Sequence, residues 1–172
     1  MKPLALLAAL PLAALAFAQL PADAAKPASQ VARKTIADQK FENLAGQFIV
    51  DAMRLSPVEA TALGEHKYDS QLPAITRRGR ADRAATWGAI DAALSLINPA
   101  SLSRDNQVDY AMLRNELQYR VWANDKLQEW AWNPQIYNDI AAGSLYTLAA
   151  RDFAPWDVRL KSATARMEAL PA

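Results

Sequence analysis

Apolar residues recur at helical spacing in the middle of the chain. One stripe, with intervals of three, four and three residues, consists of Trp87, Ile90, Leu94 and Ile97. A second stripe consists of Tyr110, Leu113, Leu117 and Val121, widened by Val108, Met112, Tyr119 and Trp122. This period predicts two amphipathic helices, the second capped by Ser103. Because only a short segment around Asn98-Pro99 joins them, we expect an antiparallel helical hairpin.

Two further helices are predicted before these stripes. The first begins at Thr35 and ends just before Ser56, and its apolar face is formed by Phe41, Leu44, Phe48 and Met53. In the second, a short helix, Ser56 is interpreted as the N-cap, Pro57 as the first residue and Glu59 as the partner in a capping box. Gly64 is expected to end it, since glycine adopts the left-handed conformation without steric cost. A polar loop then extends to about residue 76.

Four arginines open the helix of the first stripe: Arg77, Arg78, Arg80 and Arg83. Arg80 and Arg83 can share a helix face, which would suit an anion site. Because Asp82 lies between them, we interpret the cluster as a solvated helix start.

The last third of the chain is less regular. Alternating tryptophans in Trp130-Ala131-Trp132-Asn133-Pro134 predict a turn. We expect one helix over residues 135–142 and another from about Ser144. A final helix should have Pro155 at its first position. Its expected apolar stripe consists of Trp156, Leu160, Ala163, Met167 and Leu170.

The predicted fold class is therefore all-α, an irregular multi-helix array, with only 5 glycines in 172 residues. The expected organisation is a signal peptide over residues 1–18, a flexible leader over 19–34 and a helical region over 35–172. The last of these is interpreted as an incomplete part of a larger domain, because the chain stops within its last helical pattern at Leu170-Pro171.

The N-terminal residues have the pattern of a cleavable export signal. Lys2 supplies the positive charge, residues 4–15 are apolar, and Ala16-Phe17-Ala18 is a small-residue cleavage site. The apolar run is too short to span a bilayer. We therefore predict a periplasmic or secreted protein without a membrane anchor after cleavage.

The charge balance disfavours nucleic acid as a partner. The formal net charge is +1, and residues 1–18 contribute Lys2 and no acid, so 18 basic and 18 acidic residues follow. Binding to phosphates needs a basic patch. No polybasic membrane-binding segment is evident either.

The supply of chemically reactive side chains is small. There are no cysteines, which excludes disulfides, thiol nucleophiles and a lipid-modified cysteine within these residues, and His66 is the only histidine. Glu65-His66 is half of a helical zinc motif, but a catalytic zinc normally needs three protein ligands. We predict no catalytic, cofactor-binding or metal-ligating residue in this chain. A triad using His66, and the carboxylate pairs Asp105 with Asp109 and Glu59 with Asp69, remain open alternatives.

Several aromatic residues cluster late in the chain: Trp130, Trp132, Tyr137 and Tyr146. They could stack against a sugar or a peptide side chain. Aromatic residues at this density are more often core residues.

A series of motifs resembles a known family. In order they are Leu55-Ser56-Pro57 with Ala60 and Leu63-Gly64, Tyr68-Asp69 with Leu72-Pro73, Asp105-x-x-x-Asp109-Tyr110-x-x-Leu113, and Trp132-Asn133-Pro134-x-x-Tyr137. Their order and spacing resemble the N-terminal part of the bacterial domain-of-unknown-function family 885. The resemblance covers about residues 41–172.

The resemblance implies a larger, exported, mostly helical protein that is similar to zinc metallopeptidases of the thermolysin-like superfamily. Zinc is implied for the full-length protein, whose His-Glu-x-x-His motif lies downstream of the region matched here. No catalytic residue can be carried over to this chain, which on its own is expected to be inactive. Its partners would be the remainder of the same polypeptide and a peptide substrate. The expected substrate-channel contacts are His66, Tyr68, Asp69, Trp132 and Tyr137.

Two functions follow from these observations. The first is the N-terminal helical part of an exported hydrolase of peptides or peptide-like amides. The second is a free-standing periplasmic module that binds a peptide or protein. The apolar stripes that begin at Trp87 and Trp156 are the surfaces that a fragment would leave exposed.

Overall fold

Six α-helices joined by short turns make up residues 35–170, the part of the chain that the computed structural model describes. Their bounds are α1 Ile36–Leu55, α2 Pro57–Leu63, α3 Arg77–Ser95, α4 Arg104–Trp122, α5 Gln135–Ala150 and α6 Trp156–Ala169. Single 3₁₀ turns lie at His66–Tyr68, Pro99–Ser101 and Glu129–Ala131, and a π-helical turn lies at Ala123–Leu127. No strand occurs in this range, so the predicted all-α class is confirmed. The predicted signal peptide and leader, residues 1–34, lie outside the described residues.

The first three long helices share one apolar core. Helices α3 and α4 pack on each other as the predicted hairpin, and α1 packs against both. The buried core consists of Phe41, Trp87, Ile90, Leu94, Leu102, Tyr110, Leu113 and Leu117. The two predicted stripes are therefore core faces, and the stripe that begins at Trp87 is not an exposed surface. The four residues expected to widen the second stripe are exposed.

Helix α2 has the predicted first and last residues, but its predicted N-terminal side-chain cap is absent. Pro57 is its first residue, and Gly64 closes it with φ of 94°, as predicted. Ser56 makes no side-chain cap, so the capping box predicted with Glu59 is wrong. The reason is that Ser56 also ends α1: its N–H donates to the Ala52 carbonyl, and its φ of −130° and ψ of 65° are not the extended conformation of an N-cap.

A true capping box begins α1 instead. The Thr35 hydroxyl accepts from the Asp38 N–H at 3.0 Å, and the Asp38 carboxylate accepts from the Thr35 N–H at 3.0 Å. The other oxygen of Asp38 accepts from the Ser103 N–H and from the Asn106 side chain, each at 2.8 Å. One buried carboxylate therefore ties the start of α1 to the start of α4. These donors hold the pKa of Asp38 well below its usual range, the Ser103 N–H most of all.

Replacing Asp38 with asparagine is expected to lower stability at neutral pH, because an amide cannot accept the same set of charge-assisted hydrogen bonds. A depressed carboxyl pKa stabilises the fold above the unfolded-state value of about 3.9, and this contribution is lost as the pH falls through the folded-state value. The difference between Asp38→Asn and wild type in urea unfolding should therefore shrink towards acid pH. Asp109→Asn, at an exposed carboxylate, is the matched control. An Asp38→Asn deficit that is the same at neutral and acid pH would contradict this role.

The other half of the structure comprises α2, α5 and α6. Helix α5 packs on both α2 and α6. Residues 135–150 form one helix, so the predicted interruption near Ser144 is wrong. The hydroxyls of Ser144 and Thr147 donate to the carbonyls of Ala141 and Gly143 within the helix, and glycine is tolerated there without a break.

Helix α6 presents an unexpected face to the protein. Pro155 is its N-cap and Trp156 its first residue, so the helix begins one residue later than predicted. Trp156, Leu160, Met167 and Leu170 of the predicted stripe are exposed, whereas Arg159 and Arg166 are buried. Arg159 donates to carbonyls at the end of α5, those of Leu148 and Ala149, where a cation satisfies otherwise unpaired acceptors. The predicted apolar stripe of α6 therefore lies on the surface.

Across residues 35–170, no helix combines the length and the apolar composition that crossing a bilayer requires.

Candidate functional site

A long depression separates the α3–α4 hairpin from α2 and α5. One pocket of about 310 Å³ contains Arg80, Trp87, Tyr119, Trp130 and Tyr137 in its lining. A neighbouring pocket of about 640 Å³ extends towards α2 and Gly143. The two pockets share six lining residues: Pro73, Arg83, Arg120, Glu129, Ile136 and Ile140. We call the two pockets together the central groove.

The turn between α4 and α5 supplies the aromatic wall of the groove. After the π-helical turn, Gln128 adopts a left-handed conformation with φ of 48°, which reverses the chain. Trp130 follows, and its carbonyl accepts from the Tyr137 hydroxyl at 2.8 Å. The guanidinium of Arg80 lies over the Trp130 ring, 3.9 Å from its centre. Both side chains are partly buried, and this cation–π pair holds them in place at the rim of the groove.

Two further arginines line the floor of the groove. Arg120 donates to Glu116 at 2.7 Å, and its guanidinium lies 4.8 Å from the centre of the Trp87 ring. Arg83 donates to the Leu55 carbonyl at 3.3 Å. Burial, and then the charges of Arg120 and Arg80, lower the pKa of Arg83 below its usual range. Arginine stays protonated despite such a shift, so the groove holds three cationic side chains.

The interpretation of the arginine cluster as a solvated helix start is therefore only half correct. Arg77 and Arg78 are exposed, whereas Arg80 and Arg83 are partly buried and line the groove. Sequence reasoning considered Arg80 and Arg83 as an anion site but preferred the solvated helix start, and it missed Arg120 altogether. The spacing along the helices could have identified both residues. Arg83 precedes Trp87 by four residues and Arg120 follows Leu117 by three, so each lies on the same helix face as a core residue.

His66 belongs to a different cluster. Its ring stacks on Phe153 with 3.7 Å between centres and a 12° angle between planes. Its Nδ1 lies 3.0 Å from the Asp69 carboxylate. The other Asp69 oxygen accepts from the Thr61 hydroxyl at 2.7 Å. No serine joins these groups among the described residues, so the contacts are not those of a Ser-His-acid triad.

Arg166 connects this cluster to the rest of the fold. Its side chain is fully buried, and it donates to the Thr61 hydroxyl at 2.7 Å and to the Ser144 carbonyl at 2.8 Å. It also donates to the carbonyls of Gln71, Pro57 and Tyr68. Burial lowers the pKa of Arg166, while the nearby charge of Asp69 acts in the opposite direction. The guanidinium thereby fixes α2, α5, α6 and the loop after Gly64 to one another.

The five expected channel contacts thus occupy three places. Tyr137 lines the central groove. His66, Tyr68 and Asp69 lie in or beside the Arg166 network, with Tyr68 and Asp69 buried. Trp132 is 61% exposed, and its indole N–H donates to the Leu127 carbonyl. That all five face a substrate channel stays a prediction.

The carboxylate pairs are not assembled as reactive pairs. Asp105 and Asp109 are both exposed on α4. Glu59 is exposed, whereas Asp69 is buried and bonded to Thr61.

The described residues do not fit a zinc site. Structural and catalytic zinc sites need three or four His, Cys, Asp or Glu ligands. Within residues 35–170, no three such side chains come close enough together to hold a metal ion. The single histidine is stacked on Phe153 and bonded to Asp69.

Comparison with solved structures places the fold beside one other bacterial protein. It is described as a putative lipoprotein of unknown function from Shewanella oneidensis. The two share 33% sequence identity with a TM-score of 0.70, and the match covers 76% of this chain. It covers 24% of that protein, so this chain spans about a quarter of the relative's length. No curated protein matches the sequence.

The sequence also matches a family model over residues 57–172, about two thirds of the chain. The model is that of DUF885, described as bacterial protein of unknown function. The match begins at the proline that starts α2 and includes the whole of α3 to α6. This chain therefore belongs to the bacterial family of unknown function DUF885.

Proposed function

We propose that this chain is the helical, ligand-binding part of an exported protein that hydrolyses peptides or peptide-like amides. The observation that carries the proposal is the central groove, where the aromatic side chains Trp130 and Tyr137 face cationic side chains. A concave, mainly apolar site with a few polar groups is the usual form of a small-ligand site. Peptides offer both apolar side chains and charged ends to such a surface.

The reacting groups would lie in another part of the polypeptide. The zinc-dependent hydrolysis implied by the family resemblance needs ligands that residues 35–170 do not bring together. In this proposal the chain contributes binding and orientation of the substrate, and no step of the reaction is assigned to its own side chains. The remainder of the same polypeptide is then its first partner.

The exposed apolar stripe of α6 supports such a partner. Trp156 is 54% exposed and Leu160 44% exposed, on a helix whose buried face is polar. Exposed apolar patches commonly mark contact surfaces. Because the Shewanella relative is about four times as long as the matched region, the remainder of this polypeptide is the occupant we propose for the stripe.

Export is part of the same proposal. It is supported by the N-terminal pattern around Lys2 and Ala16-Phe17-Ala18, and by the description of the Shewanella protein as a putative lipoprotein. The present 172 residues contain no cysteine to which a lipid could be attached. We propose that the chain reaches the periplasm or the medium through this N-terminal signal.

Tyr137 provides the test of the binding role. In the full-length polypeptide, Tyr137→Ala is expected to raise KM for a peptide substrate by roughly threefold to tenfold, with kcat nearly unchanged. The reason is that its ring lines the groove while the reacting groups lie elsewhere. Tyr146→Ala is the matched control, because Tyr146 lies on the same helix and is 72% exposed. Addition and removal of a chelator tests the metal dependence separately.

Two outcomes would contradict the proposal. One is a full-length polypeptide that hydrolyses neither peptides nor peptide-like amides with zinc present. The other is a Tyr137→Ala variant whose KM equals that of Tyr146→Ala.

A second function is favoured by the fact that described residues alone form the groove. It is a periplasmic module that binds a peptide or a protein without turning it over. Tight peptide binding by the 172-residue chain, together with no hydrolysis by the full-length polypeptide, would support this second function over the first.

A further inference from the structure

The three arginines of the central groove differ in how they are neutralised. Arg120 is paired with the carboxylate of Glu116 at 2.7 Å. Arg80 donates to the Ile75 carbonyl at 2.7 Å and lies over Trp130. Arg83 makes a single hydrogen bond, of 3.3 Å, to the Leu55 carbonyl. Within residues 35–170, no carboxylate lies within ion-pair distance of Arg83, although it is partly buried.

Most of the N–H donors of Arg83 have no hydrogen-bond partner in the described protein. A guanidinium carries five N–H donors in a planar fork, and Leu55 receives only one of them. Among the described residues, every buried side-chain nitrogen and oxygen has a hydrogen-bond partner. The Nε and Nη1 atoms of Arg83 make no such bond, so they are accessible to solvent, and Arg83 lines both pockets of the groove.

The electrostatic surroundings of Arg83 favour an anion at this point. Burial, and then the like charges of Arg120 and Arg80, depress its pKa. A bound anion would offset both the repulsion and the loss of hydration. A carboxylate suits the geometry of the free guanidinium edge, because Arg–carboxylate pairs form two parallel hydrogen bonds.

The carboxylates of the groove leave Arg83 without an ion pair. Glu116 and Glu129 line the first pocket, and Glu59 and Asp139 line the second. Of these four, Glu116 is the one in an ion pair with a groove arginine, Arg120. The local surroundings of Arg83, and not a net positive charge of the groove, therefore favour an anion there. Ile136 and Ile140 line both pockets together with Arg83 and offer an apolar surface for the body of the ligand.

We propose that Arg83 binds the carboxylate of a peptide-like ligand in the central groove, whose first pocket Arg80 and Arg120 also line. This inference rests on the proposed function and specifies its substrate class as peptides that carry a free carboxylate. The carboxylate could be the C-terminus of the peptide or an acidic side chain. Arg83 is a binding residue in this proposal and does not take part in bond breaking.

The test is calorimetric binding to the full-length polypeptide in the presence of a chelator, so that binding is measured apart from turnover. The probes are N-acetyl-Ala-Phe with a free C-terminus, its C-terminal amide, N-acetyl-Glu-Phe-amide, and inorganic phosphate. The free acid should bind about tenfold or more tightly than the amide, because a charge-assisted hydrogen-bond pair is lost. Comparable binding of the glutamate-containing amide would identify a side-chain carboxylate as the source.

Variants assign the effect to Arg83. Arg83→Gln should remove the preference for the free acid, and Arg83→Lys should restore part of it. Arg104→Gln, at an exposed arginine at the start of α4, should leave the preference unchanged. The wild-type comparison of acid with amide needs no variant, so it stands even where Arg83→Gln does not fold.

Equal affinity for the free acid, its amide and the glutamate-containing amide, or phosphate binding tighter than that of any of these peptides, would overturn the inference. Failure of the inference can be told apart from failure of the proposed function. Carboxylate-dependent binding without hydrolysis would keep the role of Arg83 and contradict the hydrolase. Hydrolysis of peptides without any preference for a carboxylate would keep the hydrolase and contradict the role of Arg83.

Discussion

Replacement of Arg166 by methionine is expected to lower the free energy of unfolding by about 4 kcal/mol, one of the largest single effects available in this chain. The side chain is fully buried and makes five hydrogen bonds, four of them to backbone carbonyls. Methionine fills much of the volume but removes all five of these hydrogen bonds, although the Pro57 and Tyr68 carbonyls keep donors in the Thr61 hydroxyl and the Gln71 N–H. The loss is measured by urea unfolding followed by circular dichroism.

Arg166→Lys separates charge from geometry. An ammonium group keeps the charge but has three donors, against five acceptors arranged for a guanidinium, so this variant should also be destabilised. Arg77→Met, at an exposed arginine of α3, serves as the control and should change stability by less than about 0.5 kcal/mol. If Arg166→Met unfolds at the same urea concentration as Arg77→Met, the network around Thr61 does not hold the second half of the fold together.

Replacement of Trp87 by alanine is the second large effect, with an expected loss of about 3–5 kcal/mol. Trp87 is 1% exposed and contacts the ring of Phe48, 5.5 Å away between centres. Truncation would leave a cavity between α1, α3 and α4 and would remove the ring beneath Arg120. Thermal and urea unfolding should both report the loss.

Trp156→Ala is the matched control for Trp87→Ala. Trp156 begins α6 with 54% of its surface exposed, and its ring lies 5.1 Å from the guanidinium of Arg159. Its removal from the described structure should cost less than about 1 kcal/mol. Equal losses for the two variants would mean that the core does not centre on Trp87.

The sequence predicted helix ends and core faces well where the structure is determined by neighbouring residues rather than by contacts with distant parts of the chain. Gly64 ends α2 because a left-handed residue is required there, and Pro57 begins it because a first helical position needs no N–H. The stripes of α3 and α4 face each other because their apolar period is the helical period. In each case the cause lies within a few residues of the effect.

The prediction was wrong where tertiary contacts decided the outcome. The apolar stripe of α6 suggested a buried face, but Arg166 is buried in its place because carbonyls of α2, α5 and the loop after Gly64 surround its guanidinium and accept its hydrogen bonds. The requirement for glycine at position 79 is likewise set by a contact that the local sequence pattern does not reveal. A Cβ at this position would lie 2.5 Å from the Ala74 side chain, a close approach that no local pattern announces.

The candidate site was predicted in part. Tyr137 was expected to contact a ligand and does line the central groove. Arg83 and Arg120 were not singled out as groove residues, because charged residues on a helix are usually solvated and their convergence depends on how α3 packs on α4. His66 attracted attention as the only histidine, yet its described contacts with Asp69 and Phe153 fix a loop to its surroundings.

The most direct test of the central groove as the ligand site is a structure of the full-length polypeptide with a slowly hydrolysed N-acetylated peptide analogue bound. The expected result is density for the peptide between α3 and α5, in contact with Tyr137 and with its carboxylate at Arg83. A groove filled by side chains from the rest of the polypeptide, with the peptide bound elsewhere, would contradict the proposed function.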